Sequence, residues 1–272
     1  MAADTTGVEP QFSLVQYKQL AGGGTLRIIN RGVPSALKRL GYKDSEVTSI
    51  VDHIMGTGRL SGSSGLDPQI LKEKGFTDEV LSNIESSMPD VFDIRSAFSP
   101  SVLGDDFCKT VLAMTDEDCQ NVFFDTLAYI GLSAEDIERA NDVIFGYGSI
   151  EGAPGLKEEH LAVFDCATPC GKHGTRSIDW QAHVLMMAAA QPFISGAISK
   201  TINMPASASI DDIREAYELS HSTMNKACAV YRDGSKLSQP LMSQIVDTSI
   251  LEEEDSSGTV QTMVEDAVKA IP

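Results

Sequence analysis

One segment of this chain occurs twice, at residues 40–71 and again at 130–161, and the two copies align without a gap. Five glycines fall in register, namely Gly41, Gly56, Gly58, Gly62 and Gly65 in the first copy and Gly131, Gly146, Gly148, Gly152 and Gly155 in the second. Apolar Val47 and Ile54 recur as Ile137 and Ile144, at the same offset of 90 residues. Such a match indicates an internal repeat. Each copy is predicted to form a helix, a glycine-rich turn and the start of a second helix.

Local chemistry marks the two ends of the repeated helix. Ser45 and Ser133 stand near the predicted helix starts, where a side-chain oxygen can accept from free backbone amides. Gly56 and Gly146 suit the left-handed conformation that often ends a helix. Each of these glycines also begins a G-x-G sequence, but phosphate-binding loops of that kind follow strands and these follow helices. We therefore interpret both as helix stops.

Short apolar runs predict strands near the start of the chain and again in its last third. Residues 12–17 and 25–29 flank the glycines at 22–24, so we predict a hairpin there. Residues 194–202 are predicted to be extended, and residues 227–231 to form a buried strand.

Two further helices are predicted in the second half of the chain. The first covers residues 179–193, and helical spacing predicts one apolar face. That face comprises Ala182, Leu185, Met186, Ala189 and Phe193. The second helix begins after the capping residue Ser209 and runs to about Lys226. It is predicted to bury Ile213, Ala216, Tyr217, Ser220 and Met224.

The composition excludes some classes of partner. A formal net charge of −18 argues against direct binding to nucleic acid or to an anionic membrane surface, since both need clustered Lys and Arg. No apolar run reaches the roughly 18 residues of a membrane span, and the N-terminus has no signal-peptide pattern. Five cysteines, an odd number, fit a reducing compartment. We therefore expect a cytoplasmic protein.

The sequence DCATPCGKHG holds the densest group of reactive side chains. Cys166, Cys170 and His173, with His183 further along, could hold a metal ion such as zinc. The two cysteines could instead be a redox dithiol, or two small core residues in a tight loop. Tyr231 ends an apolar strand, a position where α/β barrels place functional groups. These interpretations remain open from the residues alone.

Several longer stretches carry a resemblance to a known family. They are DTTGVEPQFSLVQYKQLAGGG, LKEEHLAVFDCA, HVLMMAAAQPFISGAISKTINMP and KACAVYRDGSK, and they extend over nearly the whole chain before about Pro240. In these stretches the chain resembles the C-terminal part of the catalytic chain of class II ribonucleotide reductases of the long bacterial type. Those enzymes depend on adenosylcobalamin and convert ribonucleotides to deoxyribonucleotides by thiyl-radical chemistry.

The resemblance implies an α/β fold, the late part of a ten-stranded reductase barrel. It implies barrel-lining positions for Glu9, Asn203 and Tyr231, and it matches Cys166 and Cys170 to a C-x-x-x-C of many long-type members. The family's N-x-C-x-E radical-cysteine pattern and its P-T-x-T phosphate segment do not occur in this sequence. The implied partners are therefore an N-terminal part of the reductase, a ribonucleotide and a thiol reductant, and the chain alone is expected to be inactive. A homo-oligomer is also possible.

The expected organisation has four parts. A barrel hairpin covers residues 1–32, and a mostly helical insertion containing the duplicated unit covers 33–160. C-terminal barrel strands and helices cover 161–240, and an acidic tail covers 241–272. Two rival functions are an acidic, non-catalytic interaction protein built on the duplicated unit, and a small metal or redox domain around the cysteines.

Overall fold

The computed structural model describes residues 7–19, 25–63, 65–121 and 124–235. The chain begins with strands β1 (Val15–Gln19) and β2 (Thr25–Ile29), which pair antiparallel and confirm the predicted hairpin. The glycines predicted to form its turn, and the predicted acidic tail, lie outside the described residues. Strand β1 begins three residues later than predicted.

A helical region follows the hairpin. Its helices are α1 (Gly32–Arg39), α2 (Asp44–Met55), α3 (Pro68–Glu73), α4 (Asp78–Ser87), α5 (Ile94–Ala97), α6 (Pro100–Leu103), α7 (Asp105–Thr110), α8 (Asp116–Gln120), α9 (Thr126–Tyr129) and α10 (Ala134–Phe145). A short 3-10 helix, Glu158–Phe164, leads out of this region and begins where the second copy of the repeat is predicted to start its second helix. Two apolar cores form here. One gathers side chains from α3 to α10, and the other joins β1, α1 and α2 to the segment that contains both Cys166 and Cys170.

The two copies of the repeat contact each other directly. The amides of Thr57 and Gly58 donate to the carbonyl oxygens of Val143 and Ile144, at 2.9 and 3.0 Å. The bonds 90 residues further along are their counterparts: Tyr147 N to His53 O, and Gly148 N to Ile54 O, both 3.0 Å. Because these turn amides are already bonded, they cannot cradle a phosphate.

The predicted helix stops are confirmed, and one of the two predicted caps is wrong. Helices α2 and α10 end at Gly56 and Gly146, both with positive φ, but their ψ values of 160° and 159° differ from the predicted left-handed conformation. Ser133 Oγ accepts from the Asp136 amide at 3.1 Å, as predicted. Ser45, however, lies inside the first turn of α2, which starts at Asp44. There the Lys43 amide donates to the Glu46 carboxylate instead.

The last part of the chain contains a short parallel sheet. Helix α11 (Trp180–Ala190) is followed by a 3-10 turn, Gln191–Phe193, and by strand β3 (Thr201–Met204). Helix α12 (Ile210–Ser222) crosses over to strand β4 (Ala229–Arg232), which pairs parallel with β3. Ser209 caps α12 as predicted. The described residues thus contain two two-stranded sheets and no closed barrel.

The predicted apolar face of α11 is wrong. The helix buries His183, Val184 and Met187 against β3 and α12, while Leu185 and Met186 are about half exposed. Phe193 is 88% exposed. This helix carries apolar residues on all of its sides, so their spacing could not indicate which side faces the sheet.

The predicted burial of α12 and β4 is wrong in part. Helix α12 does bury Ala216 and Ser220, but Tyr217 is 52% exposed. The helix ends at Ser222 and not near Lys226 as predicted, so Met224 lies beyond it and is 82% exposed. Strand β4 is only half-buried or exposed, because β3 is its one strand partner among the described residues. No helix within the described ranges has the length and apolar content needed to cross a bilayer.

Candidate functional site

The parallel strands bring two of the predicted site residues side by side. Asn203 on β3 is in register with Tyr231 on β4, and both side chains are half-buried. The neighbouring pair, Ile202 and Val230, packs into the core formed with α11 and α12. Because successive side chains of a strand point to opposite faces, Asn203 and Tyr231 lie on the face of the sheet away from these helices.

Glu9 lies at the start of β3, close to the strand but not beside Asn203. Its carboxylate accepts from the Thr201 amide at 2.8 Å and from Lys200 Nζ at 3.3 Å. These two bonds join the N-terminal segment to β3, with 192 positions between Glu9 and Thr201.

Lys200 is the centre of this network, and its side chain is only 1% exposed. Besides Glu9, its Nζ bonds His183 Nδ1 at 2.7 Å and the Thr201 carbonyl oxygen at 3.0 Å. An ammonium group has three N–H donors, and the three acceptors around Nζ match that number. The geometry therefore fits a charged lysine held between a carboxylate, an imidazole and a carbonyl.

This arrangement fixes the state of His183. If Lys200 donates to Nδ1, that nitrogen carries no proton, so the proton of the neutral ring lies on Nε2. Nε2 is buried and has no hydrogen-bond partner in the described part of the chain. Burial, and then the positive charge of Lys200, lower the pKa of His183 to about 4. Burial also lowers the pKa of Lys200, against the attraction of Glu9.

A cavity of about 370 Å³ opens at the carboxyl ends of β3 and β4. Its wall includes Asn203 and the polar side chains of Asp179, Ser177, Thr168 and Asp233. Ligands of open α/β sheets bind at the carboxyl ends of the strands. Glu9 and Lys200 lie at the opposite, amino end of β3, so they position the strand and do not line this cavity.

The structure places Cys166 and Cys170 in one core, but it places neither His173 nor His183 beside them. Cys166 and Cys170 are free and buried in the same core, where the Cys166 thiol donates to the Phe164 carbonyl oxygen at 3.6 Å and the Cys170 thiol to that of Thr168 at 3.8 Å. His173 instead bonds the Asp142 carboxylate at 3.1 Å, and His183 bonds Lys200. Across the described residues, no group of three or more His, Cys, Asp or Glu side chains could hold a metal ion.

The sequence alone did not indicate that Lys200 is buried or that it belongs to this network. A lysine beside an apolar strand is most often solvated, and nothing near it in the sequence indicates burial. Its carboxylate partner is 191 positions away. The one local signal is that it is the only charged residue between Phe193 and Met204.

Comparison with known proteins identifies the family. The model of the ribonucleotide reductase barrel domain matches residues 94–231. The vitamin B12-dependent ribonucleotide reductase of Bradyrhizobium diazoefficiens is 49% identical over 270 residues, which are 99% of this chain and 21% of that protein. The enzyme of the same description from Agrobacterium fabrum is 48% identical over 265 residues, 97% of this chain and 20% of the relative. The one from Rhodopirellula baltica is 37% identical over 241 residues, 89% of this chain and 14% of the relative.

The chain therefore spans about a fifth of the length of the first two relatives. The match of the barrel-domain model covers more than half of the chain, from helix α5 to strand β4. This chain belongs to the ribonucleotide reductase barrel-domain family.

Proposed function

We propose that this chain forms the late part of the barrel of an adenosylcobalamin-dependent ribonucleotide reductase, which converts ribonucleotides to deoxyribonucleotides with electrons from a thiol reductant. The observation that carries the proposal is the identity of 49% over 99% of the chain to a reductase described as vitamin B12-dependent. Such identity, nearly continuous along the chain, is unlike the sharing of one motif between unrelated proteins.

Within that enzyme, β3 and β4 are the last strands of a ten-stranded barrel. Their parallel pairing supports this assignment, because strands of α/β barrels are parallel within a sheet and covered by helices on the outer face. Helices α11 and α12 cover one face here. The other face, with Asn203 and Tyr231, is then the inner face of the barrel, and the helical residues 33–160 are an insertion between barrel segments.

The chemistry itself needs residues from elsewhere in the reductase. The family pattern N-x-C-x-E, which carries the radical cysteine, does not occur in this sequence. The role of the described residues is to shape the barrel wall. Lys200 and Glu9 hold the N-terminal segment on β3, and Asn203 and Tyr231 present polar groups to the interior.

Adenosylcobalamin does not fit the described residues alone. Pockets for drug-sized ligands measure about 300–1,000 Å³, and this cofactor is considerably larger than a drug. The cavity beside Asn203 has about 370 Å³, and the one beside Cys166 about 230 Å³. We therefore assign the cofactor site mainly to the rest of the reductase and derive no chemical step through it here.

Exposed apolar side chains in the last part of the described chain support the proposal that further parts of the reductase pack against it. Phe193, Met224 and Ile210 are 88%, 82% and 80% exposed. Burying a large apolar side chain stabilises a complex by about 1.5–3 kcal/mol. Exposure of three such side chains to water is unfavourable in an isolated chain. In the complete reductase, contact with further parts of the barrel would bury them and stabilise the assembly.

Association with the remainder of a relative tests the proposal. We would mix the chain with the Bradyrhizobium reductase from which the matching segment has been removed, then measure complex formation and adenosylcobalamin-dependent nucleotide reduction. We expect a complex and activity in the mixture, and neither from one component alone. A folded chain that neither associates nor restores activity would contradict the proposal.

A matched pair of variants tests whether the exposed apolar surface around Phe193 contacts the rest of the reductase. Phe193→Ser should weaken association at least about tenfold, the equivalent of about 1.4 kcal/mol, because it removes an apolar contact. Ile70→Ser is the control, since Ile70 is also exposed, at 40%, but lies on α3 in the helical region. Equal affinities for the two variants would show that Phe193 faces solvent in the complex.

A further inference from the structure

A short segment after the buried cysteines, residues 171–176, crosses onto the second copy of the repeat, and we call it the strap. Its backbone lies against the turn that follows α10. A Cβ atom on Gly171 would lie 2.0 Å from the Tyr147 carbonyl oxygen, and one on Gly148 would lie 2.8 Å from the Gly171 Cα atom. The strap and the turn therefore approach each other as closely as only glycine allows.

Glu151, three residues beyond this turn, provides the strongest polar contact with the strap. One of its carboxylate oxygens accepts from the amides of Thr175 and Arg176 at 2.8 and 3.0 Å, and the other accepts from the Thr175 hydroxyl at 2.7 Å. Hydrogen bonds to a carboxylate are roughly twice as strong as those between neutral groups. Burial raises the pKa of Glu151, but the bonds from Arg176 and Thr175 outweigh it and lower that pKa below its ordinary value.

Two ion pairs add to the contact between the strap and helix α10. Lys172 pairs with Glu138, and His173 Nε2 lies 3.1 Å from the Asp142 carboxylate. The Lys172 and His173 side chains are both about half exposed. Exposed ion pairs contribute little to stability. We therefore expect Glu151 and the contact between glycines to hold the strap in place.

The first copy of the repeat differs at both of these contacts. Ser61 stands at the position of Glu151, 90 residues earlier, and has no carboxylate. Gly58 is the counterpart of Gly148 and has a similar φ, 63° against 66°. A Cβ atom on Gly58, however, would meet nothing within 4 Å. The two turns thus have a similar conformation, and the strap covers the turn of the second copy.

Both ends of the strap continue into the wall of the cavity at the carboxyl ends of β3 and β4. Residues 167–169 and 177–180 flank the strap, and both segments line this cavity. The Ile178 amide donates to the Cys166 carbonyl oxygen at 2.8 Å, which joins the two flanking segments. Because the strap is continuous with both segments, displacing it from the repeat would move this part of the cavity wall.

We propose that the second copy of the repeat is a docking platform for the strap, and that this docking sets the shape of the cavity beside Asn203. Glu151 and Gly148 are positioning residues, since both hold the strap and both lie apart from the cavity wall. The helical region thereby acts on a binding surface that other parts of the chain form. The proposal concerns the folded chain itself and does not depend on the proposed reductase activity.

The single tryptophan of the chain, Trp180, lies in the cavity wall and reports on its shape. Acrylamide quenching of its fluorescence in the whole chain measures its accessibility, and hydrogen exchange followed by mass spectrometry monitors the strap. The matched variants are Gly148→Ala and Gly58→Ala. Alanine is strained by the positive φ at both positions, and both amides bond to the opposite helix end, so the contact with the strap distinguishes them. Gly148→Ala should raise the quenching constant and speed exchange in the strap, and Gly58→Ala should change neither.

A second variant, Glu151→Ala, removes the carboxylate and leaves the glycines unchanged. The Thr175 and Arg176 amides should then exchange at least about tenfold faster, because a hydrogen bond to a charged group contributes at least the free energy of such a ratio. The quenching constant of Trp180 should rise as well. Glu135→Ala is the control, since Glu135 is 81% exposed and pairs with Arg139 on the same helix.

Circular dichroism verifies that each variant is folded. Equal quenching constants for folded Gly148→Ala and Gly58→Ala would overturn the proposal. If Gly148→Ala does not fold, Glu151→Ala decides, and a quenching constant equal to that of Glu135→Ala would overturn it. Faster exchange in the strap with unchanged accessibility of Trp180 would likewise refute the claim that docking shapes the cavity.

Discussion

Replacing Gly56 by alanine should disrupt the contact between the two copies of the repeat. Gly56 has φ 79° and ψ 160°, a conformation that essentially only glycine adopts. A Cβ atom there would lie 2.2 Å from the Ile144 carbonyl oxygen and 2.5 Å from the Gly146 amide nitrogen. Both neighbours are backbone atoms, so no side chain can rotate away to make room.

The magnitude follows from two contributions. The conformation costs an alanine about 1–3 kcal/mol. Relieving the overlap requires the turns to separate, which breaks the bonds from Thr57 and Gly58 to the opposite helix end, at about 1 kcal/mol each. We therefore expect Gly56→Ala to lower the free energy of unfolding by about 3–5 kcal/mol, a large part of the 5–15 kcal/mol typical of a domain.

Urea unfolding of the chain, followed by circular dichroism, measures this loss. Gly62→Ala is the control, because Gly62 also has a positive φ, 85°, but a Cβ atom there meets nothing within 4 Å. The control should lose only about 1–2 kcal/mol. Gly146→Ala should behave like Gly56→Ala. The double variant should lose less than the sum of the two, since either change alone separates the turns.

Losses for Gly56→Ala and Gly62→Ala that agree within about 0.5 kcal/mol would refute this reasoning, because the overlap and the broken turn bonds would then contribute nothing measurable. Strict additivity of Gly56→Ala and Gly146→Ala would show that the turns do not depend on each other.

Two further predictions concern the buried network at the start of β3. Lys200→Ala should lower the free energy of unfolding by about 3 kcal/mol, because it removes the donor of His183 Nδ1 and of the Thr201 carbonyl oxygen and leaves the Glu9 carboxylate with only the Thr201 amide. Lys172→Ala, which removes the exposed partner of Glu138, should cost less than about 1 kcal/mol in the same urea titration. For His183, the unfolded imidazole titrates at 6.5 and the folded one at about 4, so the unfolded state binds more protons between these values. Stability that is present above pH 6.5 should therefore fall as the pH drops towards 4, by at most about 3 kcal/mol. Subtracting the pH profile of the unfolding free energy of His183→Gln from that of the unchanged chain isolates this contribution. Parallel pH profiles would contradict the lowered pKa of His183.

Local sequence chemistry predicted several of the helix ends, although Ser45 does not cap α2. Ser133 and Ser209 cap their helices as expected, because a cap needs only a side-chain oxygen and an amide two or three residues later. The hairpin was also predictable, since its two strands are separated only by a short glycine-rich segment. Each of these features is determined by residues that are close in the chain.

Features that depend on distant residues were not predictable. The buried side of α11 could not be inferred, because apolar residues occur on every side of this helix. Only the position of β3 determines that His183, Val184 and Met187 are buried. Lys200 could be assigned to the core only once Glu9 was known to lie beside it. Asn203 and Tyr231 were placed by family resemblance, and the strand register then showed that they are neighbours.

The most direct test of the proposed function is the activity of a chimeric reductase. The matching segment of the Bradyrhizobium enzyme would be replaced by this chain, which aligns with it over 270 residues. The account predicts adenosylcobalamin-dependent reduction of a ribonucleotide by the chimera, and loss of most of that activity on Lys200→Ala. A soluble, folded chimera that binds adenosylcobalamin but forms no deoxyribonucleotide would contradict it.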